Sequence, residues 1–173
     1  MIYKIRVKLN TKEEVYRDIE IRDKQTLFTL YKGILSAFSL QGEELASFYE
    51  SDAEWNEGNE IPLEDMDDTK ADETMVDFQI LEKLPEVGSR MIFVYDYMDM
   101  WTFFVEVIAI EDKKPVLNYP LTINRFGSMP LKAPKRDVAI LDEDEDDDML
   151  TEEDEDDPDA FDDLEIDSDL DDI

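Results

Sequence analysis

Ile92-Phe93-Val94-Tyr95-Asp96-Tyr97-Met98-Asp99-Met100-Trp101 is the stretch on which the reading of this chain turns. An apolar run over 91–97 meets two aspartates, and a second apolar run over 101–111 follows. Two such runs joined by a short polar reversal predict an antiparallel hairpin. In the second run Trp101, Phe103, Val105, Val107 and Ala109 share one face. Phe104, Ile108 and Ile110 share the other, with Glu106 among them. Apolar residues on both faces predict a central strand.

The chain N-terminal to this hairpin shows two periods. Tyr3, Ile5, Val7 and Leu9 alternate with Lys4, Arg6 and Lys8, the period of a half-buried strand. A polar turn at 10–13 and a second alternating run over 15–22, with Ile19 and Ile21 on one side, complete an N-terminal hairpin. From Thr26 the spacing changes to three and four: Leu27, Leu30, Tyr31, Ile34, Leu35, Phe38. This predicts an amphipathic helix capped by Thr26, with Gly42 soon after its end. Residues 45–49 read as a return strand. Residues 51–73 read mostly as polar loop, with a short edge strand at 61–63. Met75, Phe78, Leu81 and Leu84 predict a second, shorter helix, broken by Pro85 and Gly88. Beyond the central hairpin, Pro120, Pro130 and Pro134 punctuate a segment expected to wrap the surface, and 138–141 reads as a last strand or docking segment.

The expected fold is α+β: a mostly antiparallel sheet with two helices on one face. Its N-terminal half, hairpin then helix then strand, resembles a β-grasp. That likeness says nothing about function.

Charge divides the chain. The formal net charge is −31, yet residues 142–173 hold 21 acidic and no basic side chains. Residues 1–141 hold 27 acidic and 17 basic ones, a net of −10. The expected division is a domain over 1–141 and a disordered polyacidic tail over 142–173, because like charges repel and little apolar surface is there to bury. Charge of this sign repels nucleic-acid phosphate and anionic membrane. Neither is expected as a direct partner; a basic protein surface is, bound through the tail. There is no Cys and no His. A thiolate nucleophile, the commonest general base and the commonest neutral metal ligand are therefore missing, and no cofactor is expected. The first residues alternate apolar and charged instead of forming an apolar leader, which predicts a cytoplasmic protein.

The Tyr-Asp-Tyr-Met-Asp-Met-Trp run resembles the signature of the plasmid pRiA4b ORF-3-like family. Tyr95, Asp96, Tyr97, Asp99 and Trp101 match it, and Glu106 stands where the following strand carries its acidic residue. Tyr16-Arg17, the helix start at Leu27 and Leu30, Leu45 with Phe48, and Tyr119-Pro120 with Pro130 are similar to other parts of the family pattern. The likeness covers roughly 1–132. It departs at Met98, where many members carry Gly, at Phe103, where many carry His, and at Leu131-Lys132. The resemblance implies an α+β domain and an occasional association with plasmids and transposable elements, and supplies no established activity.

Tyr95, Asp96, Asp99, Trp101, Glu106 and Arg17 form the candidate cluster. Asp96, Asp99 and Glu106 are the weak candidates for a hard cation such as Mg²⁺. In the competing reading both aspartates serve turn chemistry, and Tyr95 and Trp101 pack across strands. Arg17 is expected to pair with Asp96 or Asp99 and hold the turn. Three functions follow: a non-enzymatic interaction module, the leading one; a carboxylate-based metal-dependent enzyme; and an acidic mimic of nucleic acid that binds basic proteins.

Overall fold

The computed structural model describes residues 1–64, 73–112 and 118–134. The segment 138–141 and the tail 142–173 lie outside the described residues. Seven strands form one antiparallel sheet: β1 (Ile2–Leu9), β2 (Tyr16–Arg22), β3 (Ala46–Ser51), β4 (Glu57–Pro62), β5 (Arg90–Tyr95), β6 (Trp101–Glu111) and β7 (Leu121–Phe126). Their order is β4-β3-β5-β6-β1-β2-β7, which makes β6 the central strand, as its two-sided apolar pattern predicts. Helix α1 (Leu27–Phe38) returns the chain between β2 and β3, which run in the same direction. The hairpin, helix and strand of the first half follow the expected order. β3 does not adjoin β1, however, because the β5–β6 hairpin lies between them.

The helix forms where the spacing predicts. Thr26 caps it: its side-chain oxygen accepts from the Thr29 N–H at 3.2 Å. Its far end is closed by Ser39 in the left-handed region at φ 59°, ahead of the Gly42 that the sequence suggests. Leu27, Leu30, Tyr31, Ile34, Ala37 and Phe38 are buried against the odd-numbered residues of β1 and the inner residues of β5 and β6. Phe93 lies at the centre, with ring centroids 4.9 Å from Phe48 and 5.8 Å from Phe103; Phe38 sits 4.7 Å from Phe103.

Three expectations change, the first being the segment after Pro120, which joins the sheet as edge strand β7 beside β2 instead of only wrapping the surface. The second helix is split into a 3-10 turn (Met75–Asp77) and the single turn α2 (Ile80–Lys83). The cause is competition for its backbone groups. Thr26 and Gln79 form a β-bridge, and the N–H groups of Ile80 and Leu81 donate to Gln25 and Asp23 instead of to their own helix. The polar region after Ser51 contains a six-residue edge strand, β4, longer than the expected 61–63. None of the helices among the described residues is long and apolar enough to cross a membrane.

Gly127, just after β7, has φ +80°, and a Cβ placed there would lie 2.3 Å from the Glu14 carbonyl oxygen. Both the backbone conformation and the close approach require glycine. Gly127→Ala is expected to lower stability by about 1–3 kcal/mol, the range for strained backbone positions. Equilibrium urea unfolding measures this, and an unchanged midpoint would contradict the packing of β7 against the β1–β2 turn.

Candidate functional site

The turn in the opening stretch is built by Asp96. This residue ends β5 by adopting φ 69°, and its N–H donates to the Leu45 carbonyl at 2.8 Å. Its carboxylate Oδ1 accepts from the N–H groups of Met98 at 3.0 Å and Asp99 at 3.3 Å. Short polar side chains favour this arrangement because they satisfy the backbone donors of a tight reversal. Tyr95 points inward, and its hydroxyl accepts from the Gly42 N–H at 2.9 Å. Trp101 is its register partner on β6 and packs at the edge of the core. Tyr97 emerges on the other side of the sheet. Its hydroxyl bonds to the Ser47 hydroxyl and donates to Glu60 at 3.3 Å. Burial, opposed by the Ser47 bond and reinforced by Glu60, raises the Tyr97 hydroxyl above the ordinary tyrosine pKa.

The candidate cluster is not assembled in one place. Glu106 lies five residues along β6 from Trp101, about 17 Å at the usual strand rise. There it faces Arg90, with Nη2 and Oε2 3.6 Å apart. Asp99 is exposed in the turn. Among the described residues, no group of three or more His, Cys, Asp or Glu side chains is placed to hold a metal ion.

Arg17 corrects the expected ion pair with the turn. It sits on β2, separated from the turn by β6 and β1, and faces the helix. Its Nε donates to the Ala37 carbonyl at 3.2 Å, and its Nη1 donates to those of Tyr16 at 2.8 Å and Phe126 at 2.9 Å. Arg125 donates to the same Ala37 oxygen at 2.9 Å. Two guanidiniums thus serve the C-terminal end of α1, where the helix dipole favours positive charge. Burial, and then the neighbouring Arg125, lower the Arg17 pKa.

The most organised polar surface is on the face of the sheet opposite α1. Strand register lays two adjacent rows across it. One row is charged: Arg90, Glu106, Arg6, Asp18 and Asn124, contributed by β5, β6, β1, β2 and β7. The other is largely aromatic: Ile92, Phe104, Lys8, Tyr16 and Phe126 on the same strands. At the centre of the charged row Arg6 makes a bidentate pair with Asp18, Nε to Oδ1 at 2.8 Å and Nη2 to Oδ2 at 3.0 Å. Asn124 adds a bond to Oδ2 at 2.9 Å. Asp18 is only 1% exposed. Burial alone would raise its pKa, but the bonds from Arg6 and Asn124 outweigh that and hold it below the ordinary aspartate value.

Arginines bind the two rows together. Arg6 lies 4.0 Å over the Tyr16 ring, which stacks on Phe126 at 5.4 Å. Arg90 lies 4.5 Å over Trp55, which packs 4.8 Å from Phe104. Trp55 belongs to the loop between β3 and β4 and has φ 64°, unusual for a bulky side chain. Asp52 pins that loop: its carboxylate accepts from the backbone of Glu54 and Asn56 and from the Asn56 side chain, at 2.9–3.0 Å. These bonds, the Asn56 side chain's foremost, lower the Asp52 pKa. Arg90 also donates to the Ala53 carbonyl of the same loop.

The fold and this surface define a class: an α+β domain with a helix on one face of an antiparallel sheet and self-paired charges on the other. The chain belongs to the plasmid pRiA4b ORF-3-like protein family, whose model matches residues 1–165. A solved structure similar in fold is that of a protein of unknown function, MM3350, from Methanosarcina mazei Go1. It is 19% identical, with a TM-score of 0.54, and the match covers 72% of this chain and 68% of that one. The likeness is one of fold. No curated protein matches the chain.

Two outcomes test the assigned roles. Asp96→Ala is expected to cost about 1–2 kcal/mol in chemical unfolding, as for other carboxylates that cap backbone donors, and Asp99→Ala less than about 0.5. Equal losses would mean the turn is held some other way. Asp18→Asn is expected to lower stability near neutral pH. The depressed Asp18 pKa contributes stability that is present above the ordinary aspartate value and lost as pH falls through the folded one. The gap between the two proteins in thermal unfolding should therefore close only below about pH 4, with the ordinary aspartate value near 3.9. A gap that closes near neutrality would contradict the pairing.

Proposed function

We propose that this protein is a non-enzymatic interaction module that engages a basic protein surface through its acidic C-terminal segment. The observation that carries the reading is the placement of 21 acidic and no basic side chains in residues 142–173. Such a segment attracts cationic surfaces over a Debye length of about 8–10 Å and imitates the charge of a nucleic-acid backbone. The large apolar residues Phe161, Leu164, Ile166 and Leu170 are interspersed among the acids and would anchor it once bound. Two features weigh against an enzyme. The chain has no His or Cys, and the turn aspartate Asp96 is already engaged by backbone donors. The reading places the protein in the cytoplasm, and the family's plasmid-derived description extends it to mobile-element biology.

Capture from native lysate at low and high salt tests this, using the full chain, a 142–173 deletion and a variant with those acids changed to amides. Full-length protein is expected to retain basic proteins at low salt and release them at high salt. Both altered forms should lose them. Equal capture by all three would end the reading.

A further inference from the structure

The face of the sheet opposite α1 contains a cleft of about 350 Å³ at the open end of β1 and β6. Two register pairs form its floor, Lys8 with Phe104 and Arg6 with Glu106. Trp55 and Thr11 of the β1–β2 turn also line it. The volume is at the small end of the range for small-molecule sites.

The chemistry of the lining is specific. Arg6 uses Nε and Nη2 on Asp18, which leaves the Nη1 donors. Lys8 is 46% exposed, with Glu14 as its ion-pair partner at the long distance of 3.9 Å. Glu106 already faces Arg90. Arg6, Lys8 and Arg90 thus balance Asp18, Glu14 and Glu106, and among the described residues the Arg6 Nη1 donors and the loosely paired Lys8 ammonium are the cationic groups left facing the cleft. Beside them, Trp55 and Phe104 present a partly exposed aromatic surface. Trp55 is held there in a left-handed conformation by the Asp52 and Arg90 bonds to its loop. Backbone strain of this kind clusters at ligand-binding positions.

We infer that this cleft binds a small aromatic anion. Its planar ring lies against Trp55 and Phe104, and its single carboxylate or phosphate is held by Lys8 and Arg6. Aromatic stacking supplies the ring contact, and charge-assisted hydrogen bonds supply the anion contact. A nucleic-acid polymer is disfavoured by repulsion from the rest of the chain, which a small anion with one charged group largely escapes. This site uses none of residues 142–173, so its test is independent of the tail reading.

Calorimetric titration of the full-length protein with three probes, indole-3-acetate, adenosine monophosphate and inorganic phosphate, tests the inference. At least one ring-bearing probe is expected to bind saturably with Kd below about 1 mM. Which of the two binds tells a carboxylate site from a phosphate site. Inorganic phosphate, lacking the ring, should bind at least about tenfold more weakly. Lys8→Glu and Trp55→Leu should each weaken the ring-bearing probe about tenfold or more, whereas Trp101→Phe should leave it unchanged. Thermal unfolding of each variant confirms that it is folded. Saturation by neither ring-bearing probe up to about 10 mM, equal binding of phosphate alone, or binding indifferent to Lys8→Glu would each overturn the inference.

Discussion

The structure depends on one asymmetry: among the described residues, a single long helix covers one face of a seven-stranded sheet. On the covered face apolar burial dominates, with Arg17 and Arg125 closing the end of α1. Phe48, Phe93 and Phe103 are almost completely buried beneath α1, and each large apolar side chain removed from water is worth about 1.5–3 kcal/mol. Among the described residues, the opposite face has no such layer. Its polar groups must find partners along the strands themselves. The register supplies them, and the charged and aromatic rows result. Asp18 shows the constraint most clearly. It is nearly inaccessible to water and has no apolar role, so its carboxylate is satisfied by Arg6 and Asn124 from the strands on either side.

The turn at Asp96 serves the same end. Asp96 closes the β5–β6 hairpin and keeps the central strand in register. Tyr95 and Tyr97, which an unbroken strand would place on one face, address opposite faces because Asp96 between them turns the backbone at φ 69°, one reaching Gly42 and the other Ser47 and Glu60. The motif is thus a joint between the two sides of the sheet. Its aspartates and Glu106 are kept well apart by the length of β6, which removes the geometry a shared cation would need.

The fold was legible where periodicity reports burial directly. Alternation over residues 2–9, the change to helical spacing at Thr26 and the two-sided pattern of residues 101–111 each follow from which face meets the core. The split of the second helix was not legible, because the partners of its backbone groups, Asp23, Gln25 and Thr26, are distant in sequence. The expected partner of Arg17, an aspartate of the turn, is not the one it meets. Sequence shows that a cation sits on β2, but only the sheet order shows that it meets the end of α1. The surface around Trp55 was missed for the same reason. A tryptophan in an acidic loop was the available signal, and its meaning depends on Phe104 and Arg90, which are brought to it by strand pairing.

The central claim is that cross-strand pairing sustains the face opposite the helix. A double-mutant cycle on Arg6 and Asp18, read by equilibrium unfolding at neutral pH, tests it most directly. The account predicts a coupling energy above about 1 kcal/mol, beyond the 0.2–1 kcal/mol typical of exposed pairs. Additive losses, with coupling near zero, would contradict it.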